Sequence, residues 1–231
     1  MFLDAIFPPR CVGCDQILSS HDKFLCVKCR EHIRYVEEPR CLKCSKQLND
    51  YEQEYCYDCK RKAHKYDRGF ALYQYSSIYE SIYRFKYQNR QEYVKFYAYD
   101  INKRLRDVIM GWKPDALIPV PLHKKKIKAR GYNQSEILAK ELSSYLNMPV
   151  LSNYVLRQKE TRAQKELNDL ERENNLKKAF IIPQNDVKLG TVVIIDDIYT
   201  TGSTINAIAD EMRMAGVQKI YFVTLAIGKG L

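Results

Sequence analysis

VVIIDDIYTTGST, residues 192–204, is the stretch on which the reading of this 231-residue chain turns. From Gly190 the sequence runs GTVVIIDD to Asp197, and its continuous β-branched hydrophobicity suits a central parallel strand. The run ends in two carboxylates, Asp196 and Asp197. A hydroxyl-rich turn follows, Thr200, Thr201, Gly202, Ser203 and Thr204, and a helix begins after it. A helix N-terminus presents unpaired N–H groups and the positive end of its dipole, which favours an anion. Glycine at 202 lets the backbone approach a phosphate closely, and the four hydroxyls can donate to phosphate oxygens. The two acids upstream can accept from ribose hydroxyls. The bend therefore suits a sugar phosphate. Capping by Ser203 or Thr204 would account for the helix start, but not for paired aspartates at the end of a buried strand. Neither GxxxxGK[ST] nor GxGxxG occurs.

Outward from this bend, strand and helix signals alternate. Gly69–Tyr75 and Lys219–Ile227 read as strands. Ala116–Leu122 reads as a short buried strand running into a proline-rich turn. Ser77–Gln88, Glu92–Ile109, Gln134–Asn147 and Thr204–Val217 carry helical periodicity. Gly111 stops the second helix and Gly216 the last. Glu166–Leu176 is highly charged and reads as either a short helix or a loop. Alternation of this kind predicts an α/β fold, a parallel sheet with helices on both faces. Ligands of such sheets bind beyond the carboxyl ends of the strands.

The first sixty residues follow another rule. All eight cysteines fall there, as four CxxC pairs: Cys11/Cys14, Cys26/Cys29, Cys41/Cys44 and Cys56/Cys59, repeating every fifteen residues. Each CxxC turns two thiolates to one side, and two such knuckles complete a tetrahedral site for Zn²⁺. Eight ligands make two structural sites with no open position for catalysis. Sequential pairing gives a double zinc ribbon; interleaved pairing gives a cross-braced module. So short a segment buries too little apolar surface to fold securely alone, and structural zinc, at roughly 10–16 kcal/mol of apparent binding energy, offsets that deficit. His21, His32 and His64 are not needed as ligands and are expected to be exposed. Residues 60–68 read as a linker or domain edge. The division predicted is a zinc-ribbon domain over 1–62 and an α/β domain over 63–231.

The chain carries 38 Lys and Arg against 28 Asp and Glu, a formal charge of +10. Residues 69–231 hold +8 of that, which favours phosphate-bearing partners. Lys124, Lys125, Lys126, Lys128 and Arg130 crowd a basic loop within PVPLHKKKIKARGYNQ (119–134), without an intervening acid. Residues 83–106 interleave aromatics with cations. Such rings stack on unpaired bases, or Tyr83, Tyr87, Tyr93 and Tyr97 pack an amphipathic helix. No apolar run reaches the ~18 residues of a membrane span. MFLDAIFPPR does not read as a secretory signal, so the cysteines are expected to stay reduced.

The segment VVIIDDIYTTGST resembles the PRPP-binding motif of type I phosphoribosyltransferases. FPPRCVGC (7–14), FKYQNR (85–90), PVPLHKKKIKARGYNQSEILA (119–139), TRAQ (161–164) and ERENNLKKAF (171–180) extend the likeness. The chain as a whole resembles the ComF (ComFC-like) family of competence proteins. The resemblance implies a parallel-sheet type I phosphoribosyltransferase-like domain with a small N-terminal zinc-ribbon domain. It implies that Asp196, Asp197, Thr200, Thr201, Gly202, Ser203 and Thr204 hold PRPP or a related phosphorylated ligand, with Asp196 and Asp197 catalytic and Mg²⁺ arriving with PRPP. Lys124, Lys125, Lys126 and Arg130 would form the pyrophosphate side, with Lys86 joining that cluster. Arg157, Thr161, Gln164, Arg172 and Asn175 fall in a segment, 157–178, that is a mobile hood in related enzymes. The resemblance further implies single-stranded DNA binding during natural transformation, in the cytoplasm or at the inner face of the membrane, beside an uptake helicase and associated competence proteins. An active phosphoribosyltransferase with an unnamed acceptor is the alternative.

Overall fold

The structure is a computed structural model and describes residues 8–158, 179–184 and 187–228. The cysteine-rich region is one thirty-residue unit used twice. Arg10 bridges Ile17, and Arg40 bridges Gln47. Cys11 N–H donates to Gln16 O and Cys41 N–H to Lys46 O, both at 2.8 Å. Asp15 and Ser45 turn with positive φ in the same place in each unit. Each unit closes on a short helix that starts directly after a cysteine, α1 (Val27–His32) after Cys26 and α2 (Tyr57–Arg61) after Cys56.

Beyond them come β1 (Arg68–Gln74), α3 (Tyr75–Tyr87) and, after one 3-10 turn, α4 (Val94–Gly111). Next are β2 (Ala116–Pro119), α5 (Lys124–Arg130), α6 (Gln134–Leu146) and the two-residue strands β3 (Leu156–Arg157) and β4 (Phe180–Ile181). The last three elements are β5 (Thr191–Tyr199), α7 (Ser203–Met214) and β6 (Lys219–Ile227). The main sheet is parallel, in the order β1-β6-β5-β2; β3 and β4 pair antiparallel apart from it. Ile194 lies opposite Phe222, and Asp196 opposite Thr224.

Alternation along the strands builds two cores, one on each face. Val193, Ile195, Val223 and Leu225 meet α3, α4 and α6. Val192, Ile194, Ile220 and Phe222 meet Ile205, Ile208 and Met212 of α7. Strands covered on both sides need apolar residues at nearly every position, which is why β5 and β6 read as unbroken hydrophobic runs.

The two cysteine units divide between these faces. Cys11, Val12, Leu18, Leu25 and Ile33 join the first core, and Val36, Cys41, Cys44, Leu48 and Cys56 join the second. The connecting residues 34–36 run along the edge strand: Val36 N–H donates to Leu72 O at 3.0 Å, and Gln74 N–H to Arg34 O at 2.9 Å. The outer edge of β1 is therefore covered, which blunts its capacity to pair with another chain. Asp100 of α4 is buried beside this seam, accepting from Tyr35 Oη (2.9 Å), Tyr73 Oη (2.7 Å) and Arg104 Nε (3.2 Å).

Two local expectations change and a third is narrowed. Lys124–Arg130 is a helix rather than a loop. His123 caps its start, its side chain accepting from Lys125 N–H at 3.4 Å, and Gly131 ends it at φ 85°. The prolines end before His123, and Lys, Arg and Ala are strong helix formers. Of the two readings of residues 60–68, a packed domain edge fits and a free linker does not: Tyr66 is buried, donating to or accepting from Tyr199 Oη at 2.7 Å. His64 is half-buried rather than exposed, its ring stacked on Tyr66 at 4.8 Å; His21 and His32 are exposed. Among the described residues no helix is long and apolar enough to cross a membrane.

Candidate functional site

The eight thiols gather as two sets, Cys11/Cys14/Cys26/Cys29 and Cys41/Cys44/Cys56/Cys59, the sulfurs of each within 4.8 Å of one another. Pairing is sequential, because each thirty-residue unit closes on itself. Cys14 Sγ lies 3.9 Å from Cys26 Sγ, and Cys44 Sγ 3.7 Å from Cys56 Sγ. A tetrahedron with metal–sulfur bonds of about 2.3 Å has edges near 3.8 Å, so the thiols fit Zn²⁺. They are free cysteines, and these separations are far beyond the ~2.05 Å of a disulfide. Cys26 N–H donates to Cys11 Sγ at 3.3 Å, neutralising part of a thiolate's charge. With four sulfurs each, the sites are structural.

The acid pair and its bend lie at the carboxyl end of the sheet. β5 does not stop at the carboxylates; it runs on to Tyr199 because β6 pairs with it as far as Tyr199↔Ile227. On its other side β2 ends at Pro119↔Ile195. Asp196 and Asp197 therefore stand just past the end of β2. The chain leaving β2 goes to α6 on one face, and the chain leaving β5 goes to α7 on the other. Adjacent strands whose exits diverge open the crevice in which α/β sheets hold ligands.

The two acids take different partners, both from helices of the first face. Asp197 accepts from Lys86 Nζ of α3 at 2.8 Å. Asp196 accepts from Ser135 Oγ of α6 at 2.9 Å and from Asp197 N–H at 2.9 Å. Burial, reinforced by the adjacent Asp197 carboxylate, pushes Asp196 up to about 7, although Asp197 N–H, Lys86 and Ser135 pull it the other way. Both residues keep partial exposure.

At the bend, Gly202 has φ 75° and is the N-cap of α7, a residue without a side chain to cap it. Thr201 Oγ1 and Ser203 Oγ lie 2.8 Å apart and share a proton. Thr200 is exposed, and Thr201, Ser203 and Thr204 are half-buried around the turn. A Cβ on residue 202 would run into the Tyr199 hydroxyl beneath it. That hydroxyl is held by Tyr66, and the Tyr199 ring stacks on Phe222 at 5.0 Å. The bend thus has a rigid floor beneath the N-terminus of α7.

The residues read as the pyrophosphate side are split. Lys124 and Lys125 are exposed and Lys126 is half-buried on α5. Arg130 turns to α3 and α6, donating to Gln134 Oε1 (3.0 Å) and Tyr87 Oη (2.9 Å). Lys86 belongs to the acid pair rather than to this basic cluster. Ser135 was not singled out by any motif. Its signal was Asn133, whose carbonyl oxygen caps α6 by accepting from Ser135 N–H at 3.2 Å, while its amide donates to Val120 O at 3.0 Å. Arg157 lies on β3, its guanidinium 5.3 Å from the Phe180 ring. Thr161, Gln164, Arg172 and Asn175 lie outside the described residues.

The tyrosines also divide. Tyr93 and Tyr97 are in the core, whereas Tyr83 and Tyr87 are exposed. Packing accounts for the first two, and the second two are left on the surface.

Comparison with known families matches residues 2–60 to the double zinc ribbon domain and residues 86–230 to the phosphoribosyl transferase domain. Among curated proteins, the chain is similar to Competence protein F of Haemophilus influenzae, 38% identical over 150 residues, covering 63% of this chain and 66% of the relative. It is similar to DNA utilization protein YhgH of Shigella flexneri, 37% identical over 107 residues, 46% of this chain and 47% of the relative. It is also similar to Competence protein ComFC of Bacillus subtilis, 26% identical over 138 residues, 59% of this chain and 54% of the relative. The matched regions thus span about half to two thirds of these relatives' lengths.

Proposed function

This chain belongs to the phosphoribosyl transferase domain family, joined to a double zinc ribbon, and we propose that its bend binds PRPP or a related ribose phosphate in a protein that handles single-stranded DNA during natural transformation. The observation that carries the ligand reading is the placing of Asp196 and Asp197 past the end of β2, beside the N-terminus of α7, whose cap is a glycine. On this reading the carboxylates accept from ribose hydroxyls. The amides and hydroxyls of Thr200, Thr201, Gly202, Ser203 and Thr204 take the 5-phosphate. Lys124, Lys125, Lys126 and Arg130 neutralise the diphosphate side. Mg²⁺ accompanies the diphosphate, its shell completed largely by substrate oxygens and water. Lys86 holds Asp197 in place until a ligand hydroxyl or cation competes for that carboxylate.

The DNA reading rests on the relatives' names, which speak of competence and DNA utilization, and on the basic α/β part. It places the protein in the cytoplasm, reaching the inner face of the membrane through an uptake helicase and other competence proteins.

Calorimetric titration of Mg-PRPP tests the ligand site. Wild type binds, and Asp196→Asn/Asp197→Asn binds at least about tenfold more weakly, the order expected when charged hydrogen-bond acceptors are lost. A wild type that takes no PRPP, or a variant that takes it equally well, overturns the reading. An active transferase is the alternative reading, with Asp196, which burial pushes up to about 7, exchanging a proton near neutrality. Pyrophosphate release across a panel of bases and amines reports it; binding without release leaves a ligand-binding module.

A further inference from the structure

We propose that the exposed face of α3 is the track for an unpaired nucleic-acid strand, with Tyr79, Tyr83 and Tyr87 as its stacking platform. This inference rests on the DNA reading above and gives it a place on the molecule. The three tyrosines recur at every fourth position of one helix and so form one ladder. Tyr79, Tyr83 and Tyr87 are 46–56% exposed, which is unusual for three adjacent aromatics. Ile78, Ile82 and Phe85 make the core contact, joined by the partly buried Tyr75, so the core does not rest on the three exposed rings.

Tyr83 already meets Tyr87 at 5.0 Å, and Tyr79 is braced by the core-packed Tyr75 at 5.9 Å. Successive tyrosines rise by about 6 Å along the helix axis, whereas stacked nucleotides rise by about 3.4 Å. Bases must therefore part from one another to meet successive rings. A single strand does so at little cost and a duplex cannot without melting.

Charge complements the rings. Arg130 crosses the last one, 4.7 Å from the Tyr87 centroid, and donates to its hydroxyl. The lysines of α5 continue from Arg130. The acid on this stretch, Glu80, is neutralised by Arg84 at 2.8 Å. Rings supply stacking and flanking cations follow the phosphates. Lys86 and Tyr87 are adjacent, and Lys86 holds Asp197, so the ladder ends at the mouth of the acid-lined crevice.

Fluorescence anisotropy with a labelled oligothymidine on the zinc-loaded full chain tests this. Wild type binds the single strand more tightly than a duplex of equal length. Tyr79→Ala/Tyr83→Ala weakens single-strand binding by about fivefold or more per ring. Tyr79→Phe/Tyr83→Phe, which keeps the stacking faces, binds like wild type. Zinc content and far-ultraviolet circular dichroism confirm that the variants fold. If wild type binds and the alanine variant binds equally, the ladder is not the track, though the DNA reading stands. If wild type does not bind the strand at all, the DNA reading itself falls. If the alanine pair abolishes a concentration-dependent dimer, or binding to anionic vesicles, and leaves strand affinity unchanged, the face belongs to a second copy or to a lipid surface instead.

Discussion

Gly202 and Asp196 hold the chemistry of the bend at single-residue scale. With φ at 75° and the Tyr199 hydroxyl beneath it, position 202 admits no Cβ without moving the floor of the turn. Gly202→Ala is expected to cost about 1–3 kcal/mol in urea unfolding and to weaken PRPP binding. Asp196 behaves in the opposite sense to most carboxylates of a folded protein. Its pKa is raised from 3.8 to about 7, so between those values the folded chain holds a proton that the unfolded chain has released. Stability therefore falls as pH climbs from about 4 to 7, and the cost of ionising Asp196 is complete above 7. Asp196→Asn removes that cost. The variant should melt above wild type at pH 8.5 and level with it at pH 4, by calorimetry at both values. Equal melting temperatures at high pH would mean that the carboxylate is not disfavoured by its surroundings.

At the scale of elements, the seam between the ribbon and the sheet is the part no single segment explains. Residues 34–36, β1 and α4 converge on Asp100, whose three donors come from all three. Tyr73 is fully buried, so Tyr73→Phe withdraws one donor from a buried carboxylate with no water to replace it. A loss of about 1–3 kcal/mol is expected, read from the urea midpoint at unchanged slope. Tyr35→Phe, at the half-exposed end, should lose less. Much of this scale was legible beforehand. β6 matches its reading residue for residue, and α6 and α7 begin within one position of theirs, because hydrophobic period is a near-neighbour property. α5 was not legible. A run of lysines reads as solvated loop until His123 and Gly131 are seen capping it. The extension of β5 past the acids was hidden too, since only pairing with β6 keeps Asp196 to Tyr199 in a strand.

For the whole molecule, the ribbon is a clamp astride the β1 edge, one zinc unit on each face. Each unit contributes side chains to a different core of the same sheet. Chelation should therefore loosen both faces together. Hydrogen exchange in β1 and α3 is expected to accelerate on zinc removal along with the cysteine region. Exchange that changes only before residue 60 would mark the ribbon as an independent appendage. Residues 63–231 made alone would expose the apolar patches that Leu18, Leu25, Val36 and Leu48 cover, and are expected to self-associate in sedimentation.

What the sequence alone determined was everything carried by short spacing. The four CxxC knuckles, the alternation of strand and helix, and the acid-then-hydroxyl bend are all set by residues within a few positions of one another. Tertiary structure decided which knuckles share a metal, which tyrosines face outward, that Lys86 goes to Asp197, and that Ser135 reaches Asp196. Those outcomes depend on contacts between residues tens to more than a hundred positions apart. Such contacts form only when both faces of the sheet close at once, and no local period encodes them.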